Sequence, residues 1–244
     1  MALPKINETL NFTCTIPSTG KRVKYRPYLV KEEKILLQAF ESKDMQMCLS
    51  AMADTLNACL DPKSNVAVEK LATFDIEYLF TQVRSKSVGE TSTILISCTN
   101  NVEDKVCGEQ NEYIIDLDAL VVEVPKGGNV IEITDSVSVE MKYPTYETLL
   151  LGETAPSEMT DMSNALEMIV SCIAAVLTAD ERIDAKSQSK DELLEFVNSM
   201  TATQLSSVTK FLETLPALKK DIEFKCTKCG GSNTMQLKGL SDFF

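Results

Sequence analysis

Between residues 11 and 29 apolar and polar positions alternate. Phe12, Cys14 and Ile16 are separated by Thr13 and Thr15, and Val23 and Tyr25 alternate again beyond Pro17-Ser18-Thr19-Gly20. A period of two on both sides of turn residues predicts a β-hairpin, which Pro27 closes. From Val30 the period lengthens. Ile35, Leu36, Ala39 and Phe40, then Met47, Cys48, Ala51, Met52, Thr55, Leu56 and Cys59, recur at helical spacing and predict two amphipathic helices. After Asp61-Pro62 the stretch from Phe74 to Ser85 predicts a third, with Ile76, Leu79, Phe80 and Val83 as its inner stripe, and Val88-Gly89-Glu90 ends it.

Residues 91–144 change character. Thr91 to Ser97 is apolar and β-branched, Tyr113 to Val124 carries Ile114, Ile115, Leu117, Leu120, Val121 and Val122, and Val130 to Met141 alternates. Three or four antiparallel strands are predicted, with Pro125-Lys126-Gly127-Gly128-Asn129 as the turn between the last two. Residues 145–151 read as a short helix, and the apolar run from Ala165 to Leu177 as a long buried helix ending near Thr178. That run is well short of the roughly 20 residues that span a bilayer. Ser189 to Glu192 and Thr201 to Gln204 each place a hydroxyl three residues before an acid or amide, the signature of a capping box. Two further helices follow from them, with Leu193, Leu194 and Val197, then Leu205, Val208, Phe211, Leu212 and Leu215, facing inward. The fold class is therefore α+β: mostly helical, with an N-terminal β-hairpin (1–29), a helical part (30–90), a small antiparallel β-rich insert (91–144), a second helical part (145–221) and a ribbon-like C-terminal hairpin with its tail (222–244). No internal repeat, low-complexity tract or long linker is apparent.

Composition narrows the function. With 36 acidic against 24 basic residues the net charge is −12, a field that repels phosphate backbones and anionic lipid and argues against nucleic-acid or membrane partners. The chain holds no histidine. Ser-His-Asp and Cys-His nucleophile activation, HExxH chemistry and every His-containing zinc site are thereby excluded, and a non-enzymatic role is expected. The polar start Met1-Ala2-Leu3-Pro4-Lys5 lacks the apolar core of a secretory signal, so the chain is expected to be made in the cytoplasm, where its eight cysteines would be reduced thiols or metal ligands.

The strongest local signal is Phe224-Lys225-Cys226-Thr227-Lys228-Cys229-Gly230-Gly231. A strand-like segment delivers two thiols three residues apart, and glycines allow the tight return of a zinc knuckle. Cys98 and Cys107 flank a polar loop between two strand-like segments, and Gly108 follows Cys107 as Gly230 follows Cys229. This spacing points to one structural four-cysteine zinc site of ribbon type, made of Cys98, Cys107, Cys226 and Cys229. Alternatives are a thioredoxin-like redox pair, which would open a helix rather than precede Gly-Gly, free thiols, or two pairs that each find ligands on another protomer. Cys14, Cys48, Cys59 and Cys172 fall on apolar faces and read as small core residues.

Other features are weaker. Asp180, Glu181 and Asp184, with Asp191 and Glu192, are acidic, but Arg182 stands where a calcium loop wants an oxygen ligand, so a solvated helix end is the reading. Asp116 and Asp118 are expected two apart on one strand face, a geometry that permits acid and base work but has no supporting catalytic motif, and the glycines form neither GxGxxG nor a P-loop. Arg22, Lys24 and Arg26 share one strand face, either solvated or set against an acidic neighbour. The terminal Leu240, Phe243 and Phe244 either dock on a neighbour or fold back on their own core.

Several ordered motifs together resemble a known family. They are Leu3-Pro4-Lys5, the hairpin from Ile16-Pro17-Ser18-Thr19-Gly20 to Tyr25-Arg26-Pro27-Tyr28-Leu29-Val30-Lys31-Glu32-Glu33-Lys34, Phe74 to Phe80 followed by Arg84 to Glu90, and the ending from Cys226 to Phe244. The chain resembles the baseplate hub subunit and hub-assembly family of T-even-type contractile-tailed bacteriophages. That resemblance implies a non-enzymatic structural component of the virion's central baseplate hub. Its partners would be other tail and baseplate hub proteins, with the tape-measure protein among the candidates. It leaves a second reading open, an assembly chaperone for hub or tape-measure protein that is absent from the mature virion. It supplies no catalytic residues, and neither it nor the residues fix an oligomeric state.

Overall fold

The computed structural model describes residues 11–103, 105–125, 127–151 and 162–243. The chain is α+β and divides into two compact units. One takes the described residues up to Val68, Phe74–Glu123 and those from Ala217 onward; the other takes Glu69–Thr73 and the described residues between Val124 and Pro216. The division falls inside the β-rich stretch, at Glu123/Val124.

In the first unit, strands β1 (Phe12–Thr15) and β2 (Arg22–Tyr25) form the N-terminal hairpin with Cys14 opposite Val23, so alternate residues are buried as the period of two requires. Helices α1 (Val30–Ser42) and α2 (Met45–Cys59) follow, joined through Lys43 in the left-handed conformation and the Asp44 cap, whose carboxylate accepts the Gln46 and Met47 N–H groups. Arg26 turns from the basic strip to pair with the buried Glu32 at 2.9 Å. Helix α3 (Thr73–Ser87) buries Ile76, Leu79, Phe80 and Val83 as anticipated, and also Asp75, which accepts the backbone N–H and hydroxyl of Ser18 in the hairpin turn.

Beyond α3 come β3 (Thr91–Ser97), the two-residue strands β4 (Asn101–Val102) and β5 (Lys105–Val106), and β6 (Gln110–Asp116). Strands β3 and β6 pair antiparallel from Thr91↔Asp116 to Ser97↔Gln110. The strand expected to run to Val124 stops at Asp116, whose carboxylate accepts the N–H groups of Asp118 and Ala119 and turns the chain. Asp118 therefore lies beyond the strand, not on its face, and binds Ser85 and Lys86.

The second unit is built on a four-stranded antiparallel sheet. Its strands are β7 (Val130–Thr134), β8 (Val137–Met141), β9 (Ile173–Thr178) and β10 (Arg182–Asp184), in the order β10-β9-β8-β7. Helices α4 (Tyr146–Leu151) and α5 (Met162–Ser171) lie between β8 and β9; α6 (Lys190–Asn198) and α7 (Ala202–Glu213) follow β10. Val139, Met141, Cys172 and Ile173 of the sheet side meet Ile169, Val170, Leu193, Val197 and Val208 of the helices in one core. The capping boxes at Ser189/Glu192 and Thr201/Gln204 form as anticipated.

Two sequence expectations fail in this unit. Val130 to Met141 is a hairpin, not one strand: it reverses at Asp135-Ser136, where Thr134 Oγ1 accepts the Val137 N–H, and Gly127-Gly128 instead lies in the segment leading into β7. The long helix expected to end near Thr178 stops at Ser171 and continues as β9. The Cys172 carbonyl accepts Lys142 N–H at 2.7 Å, and Ile173 to Thr178 pair with β8. The acidic group at 180–184 is turn chemistry, with Asp184 capping the following turn through Lys186 N–H and Arg182 bridging Glu140 and Asp184.

The chain then returns to the first unit through β11 (Lys219–Lys225) and β12 (Ser232–Lys238), a hairpin whose seven pairs run from Lys219↔Lys238 to Lys225↔Ser232. It repeats the plan of β3–β6, contrary to the expectation that the chain holds no repeat. Seven pairs in the same register lead to Cys98 or Cys226. The N–H of that cysteine meets the carbonyl of Glu109 or Gly231, and its carbonyl accepts from Gly108 or Gly230. Both glycines sit at positive φ, +65° and +70°, a conformation costly for other residues. Cys-Thr and Cys-Gly-x-x-Asn recur in both hairpins, but residues 100–106 stand in the first where Lys228 alone stands in the second, and this offset hides the repeat from a linear reading.

The two hairpins share one core of Ile96, Ile115, Leu117, Leu120, Leu218, Ile222, Leu237 and Phe243. Phe243 is fully buried and its carbonyl accepts the Ser92 hydroxyl at 2.7 Å, so it folds back on its own core rather than docking on a neighbour; Phe244 lies outside the described residues. Burial pushes the Glu77 carboxyl up to about 7 even though it accepts the Leu240 N–H, which ties α3 to the same tail. Replacing Phe243 by Ala is expected to cost about 3–5 kcal/mol, read as a lowered denaturant midpoint with unchanged slope.

Candidate metal centre

Each cysteine pair is positioned by a hairpin end. Where β3 ends, Cys98 is the last residue bonded across to the β6 side; the chain then leaves through the β4–β5 finger and returns at Cys107, whose N–H meets the Asn100 carbonyl at 2.8 Å. Where β11 ends, Cys226 plays the part of Cys98, and Lys228 alone separates Thr227 from Cys229. The structure brings all four of these sequence-selected thiols together, their sulfurs lying within 4.8 Å of one another. Cys98 Sγ stands 3.7 Å from Cys229 Sγ, and Cys107 Sγ stands 3.9 Å from Cys226 Sγ. These gaps exceed a disulfide bond of about 2.05 Å. They match the edge of about 3.8 Å in a tetrahedron of sulfurs placed about 2.3 Å from one central ion.

Contacts around the thiols join the two hairpins. Lys228 Nζ pairs with Glu109 at 3.1 Å. At the corresponding place on the other side, the Asn100 amide lies over Gly231 and reaches toward Cys229 Sγ at 3.9 Å. A Cβ at Gly231 would stand 2.3 Å from Asn100 Nδ2, so a side chain there requires the Asn100 amide to move. Sequence reading had no signal for Asn100, and it passed over Asn111 and Asn233, although an asparagine follows the second cysteine by four residues in both hairpins.

The thiols do not ionise alike. Backbone N–H donation from Cys229, joined by Lys228 and the neighbouring thiols, outweighs desolvation and brings Cys226 down to about 6. At Cys107 the Glu109 N–H acts in the same sense, yet burial and the three nearby thiols push that group up to about 11. Like charges this close oppose one another, and a cation between them would relieve that. The remaining cysteines are of another kind. Burial pushes Cys14 up to about 12 and Cys59 and Cys172 up to about 11, and Cys48 donates to the Ala39 carbonyl, as befits core thiols.

With the fold and the four-thiol cluster in place, comparison with known proteins decides the family. A family model described as T4 bacteriophage base plate protein matches residues 9–244. The chain belongs to that family. Comparison with curated proteins and with solved structures gives no further match. Membership makes this a structural protein of the phage tail baseplate, working among other baseplate and tail proteins. Among the described residues, no helix is long and apolar enough to cross a membrane.

Gly231→Ala is expected to destabilise the protein by about 0.5–1.5 kcal/mol by forcing the Asn100 side chain into another rotamer. The Asn100→Ala/Gly231→Ala double variant should recover part of that loss in denaturant unfolding, because the clash is then gone.

Proposed function

We propose that the protein is a resident structural component of the central hub of the baseplate, and that Cys98, Cys107, Cys226 and Cys229 hold one structural zinc ion. The observation that carries the metal is the convergence of four thiols at the spacing of a tetrahedral site, from two hairpins far apart in the sequence. Four thiolates favour soft, tetrahedral ions, and a closed set of four protein ligands leaves no position for a substrate. The ion's chemistry is therefore to neutralise the thiolates and brace the fold. Because the C-terminal hairpin must come back from Pro216 to join residues 91–123, binding the ion fixes that return, and binding free energy becomes folding free energy. A thiol–disulfide cycle is a poorer fit: the Cys226-x-x-Cys229 segment opens a tight turn between strands and not a helix, and both its sulfurs face thiols of the other hairpin.

What supports a hub role is the resemblance of the sequence motifs to those of hub subunits and hub-assembly proteins, within a baseplate family that covers residues 9–244. Quantitative mass spectrometry of purified mature particles tests residency. A fixed ratio of this chain to the other baseplate subunits is expected. Its absence from particles, with a complex to a tail protein in infected-cell extracts, would instead make it an assembly factor that leaves.

A further inference from the structure

The two cysteine hairpins contact each other reciprocally, as the halves of a symmetric dimer do. Asn111, on β6, uses its side-chain oxygen to accept both the N–H of Thr227, at 2.8 Å, and the Thr227 hydroxyl, at 3.0 Å. Its Nδ2 donates to the Glu109 carbonyl at 2.9 Å and reaches Cys226 Sγ at 3.8 Å. Asn233, on β12, repeats every one of these bonds with the hairpins exchanged. Its oxygen accepts the N–H and hydroxyl of Thr99, at 2.9 and 3.2 Å, while its Nδ2 donates to the Gly231 carbonyl at 3.2 Å and to Cys98 Sγ at 3.5 Å. Both asparagines are buried.

We propose that Asn111 and Asn233 are a reciprocal pair of positioning residues for the four-thiol metal site, each fixing the first cysteine of the opposite hairpin and offsetting charge on its sulfur. This rests on the reading of the cluster as a metal site and adds to it two residues that touch no ion. The chemistry calls for an amide. The oxygen faces two donors and the nitrogen faces a carbonyl and a sulfur, so only a group with an acceptor on one side and a donor on the other satisfies all four partners. A carboxylate of the same shape would set negative charge against the carbonyl and the thiolate. Alanine would take away the acceptor that the N–H of Thr99 or Thr227 has in the opposite hairpin. Because each amide holds the other hairpin, neither hairpin alone carries a complete half-site: Cys226-Thr227 is held from β6 and Cys98-Thr99 from β12. Groups around a metal that orient its ligands typically change metal affinity by about 10–100-fold when removed.

The test is a competition titration of the full chain with cobalt(II), followed by the thiolate-to-metal charge-transfer band. It compares wild type, Asn111→Asp, Asn233→Asp and Asn101→Asp, the last placing an equal charge on the exposed finger between Cys98 and Cys107. The two buried-site variants are expected to bind cobalt about 10–100-fold more weakly than wild type, with a displaced charge-transfer band, and to resemble each other. Asn101→Asp should bind as wild type does. Wild-type affinity and an unmoved band in both Asn111→Asp and Asn233→Asp would overturn the proposal while leaving the metal site standing; a wild type that takes up no cobalt would overturn the metal reading itself, and this pair with it. Should the variants fail to fold, the side-chain NH2 resonances of Asn111 and Asn233 in isotope-labelled wild type give the answer: they should shift on metal loading, and unmoved resonances would contradict the assignment.

Discussion

Negative charge on closely packed sulfurs is the constraint that shapes the first unit. Thiolates gathered within 4.8 Å of one another repel, so each charge raises the cost of the next; backbone N–H donation draws Cys226 down, while the neighbouring thiols help push Cys107 up. Backbone N–H groups at the knuckle and the amides of Asn100, Asn111 and Asn233 are aimed at the sulfurs, but neutral donors offset only part of several negative charges. On the proposed reading, a divalent ion at the centre would remove the conflict and join four parts of the chain at one point.

What lies behind that point explains why the joint matters. Ile96, Ile115, Ile222 and Leu237 of the two hairpins form a common core with Phe243, and Ser92 secures the chain there through the Phe243 carbonyl. The core contributes non-directional burial; the hydrogen bonds between Asn111 and Thr227 and between Asn233 and Thr99 set the register of one hairpin against the other. Building both hairpins to one plan means that one solution to the knuckle geometry serves twice. They differ where residues 100–106 replace Lys228, and there the contacts diverge as well: Lys228 pairs with Glu109, while Asn100 lies over Gly231. For a baseplate protein, which has to keep its shape among neighbours, a site with no open coordination position is a brace rather than a reactive centre.

The cysteine cluster could be read in the sequence because strand alternation and a Gly after the second thiol are local signals that both hairpins carry, and the two-residue gap of Cys226 and Cys229 adds a third. The N-terminal hairpin and the capping boxes were legible for the same reason. Where tertiary pairing decides, the signal fails. Ile173 to Thr178 continues the apolar run of the helix before it, and such a run has no period that separates buried helix from buried strand; its pairing with β8 settles the matter. Gly127-Gly128 is a stronger turn signal than Asp135-Ser136, yet the hairpin reverses at the latter because the Thr134 hydroxyl completes the turn. The repeat is not legible in the linear sequence because its common spacing, Cys-Gly-x-x-Asn, begins only after segments of different length, and the amides of Asn111 and Asn233 acquire meaning only when the two hairpins face each other.

The measurement that tests this account most directly is the metal content of the full chain purified under reducing conditions, by native mass spectrometry with elemental analysis. The account predicts one zinc ion per chain, retained through dialysis and lost in Cys98→Ser and Cys226→Ser alike, since each hairpin supplies two of the four ligands. A metal-free wild-type protein whose thermal unfolding is indifferent to added zinc and to a chelator would contradict it.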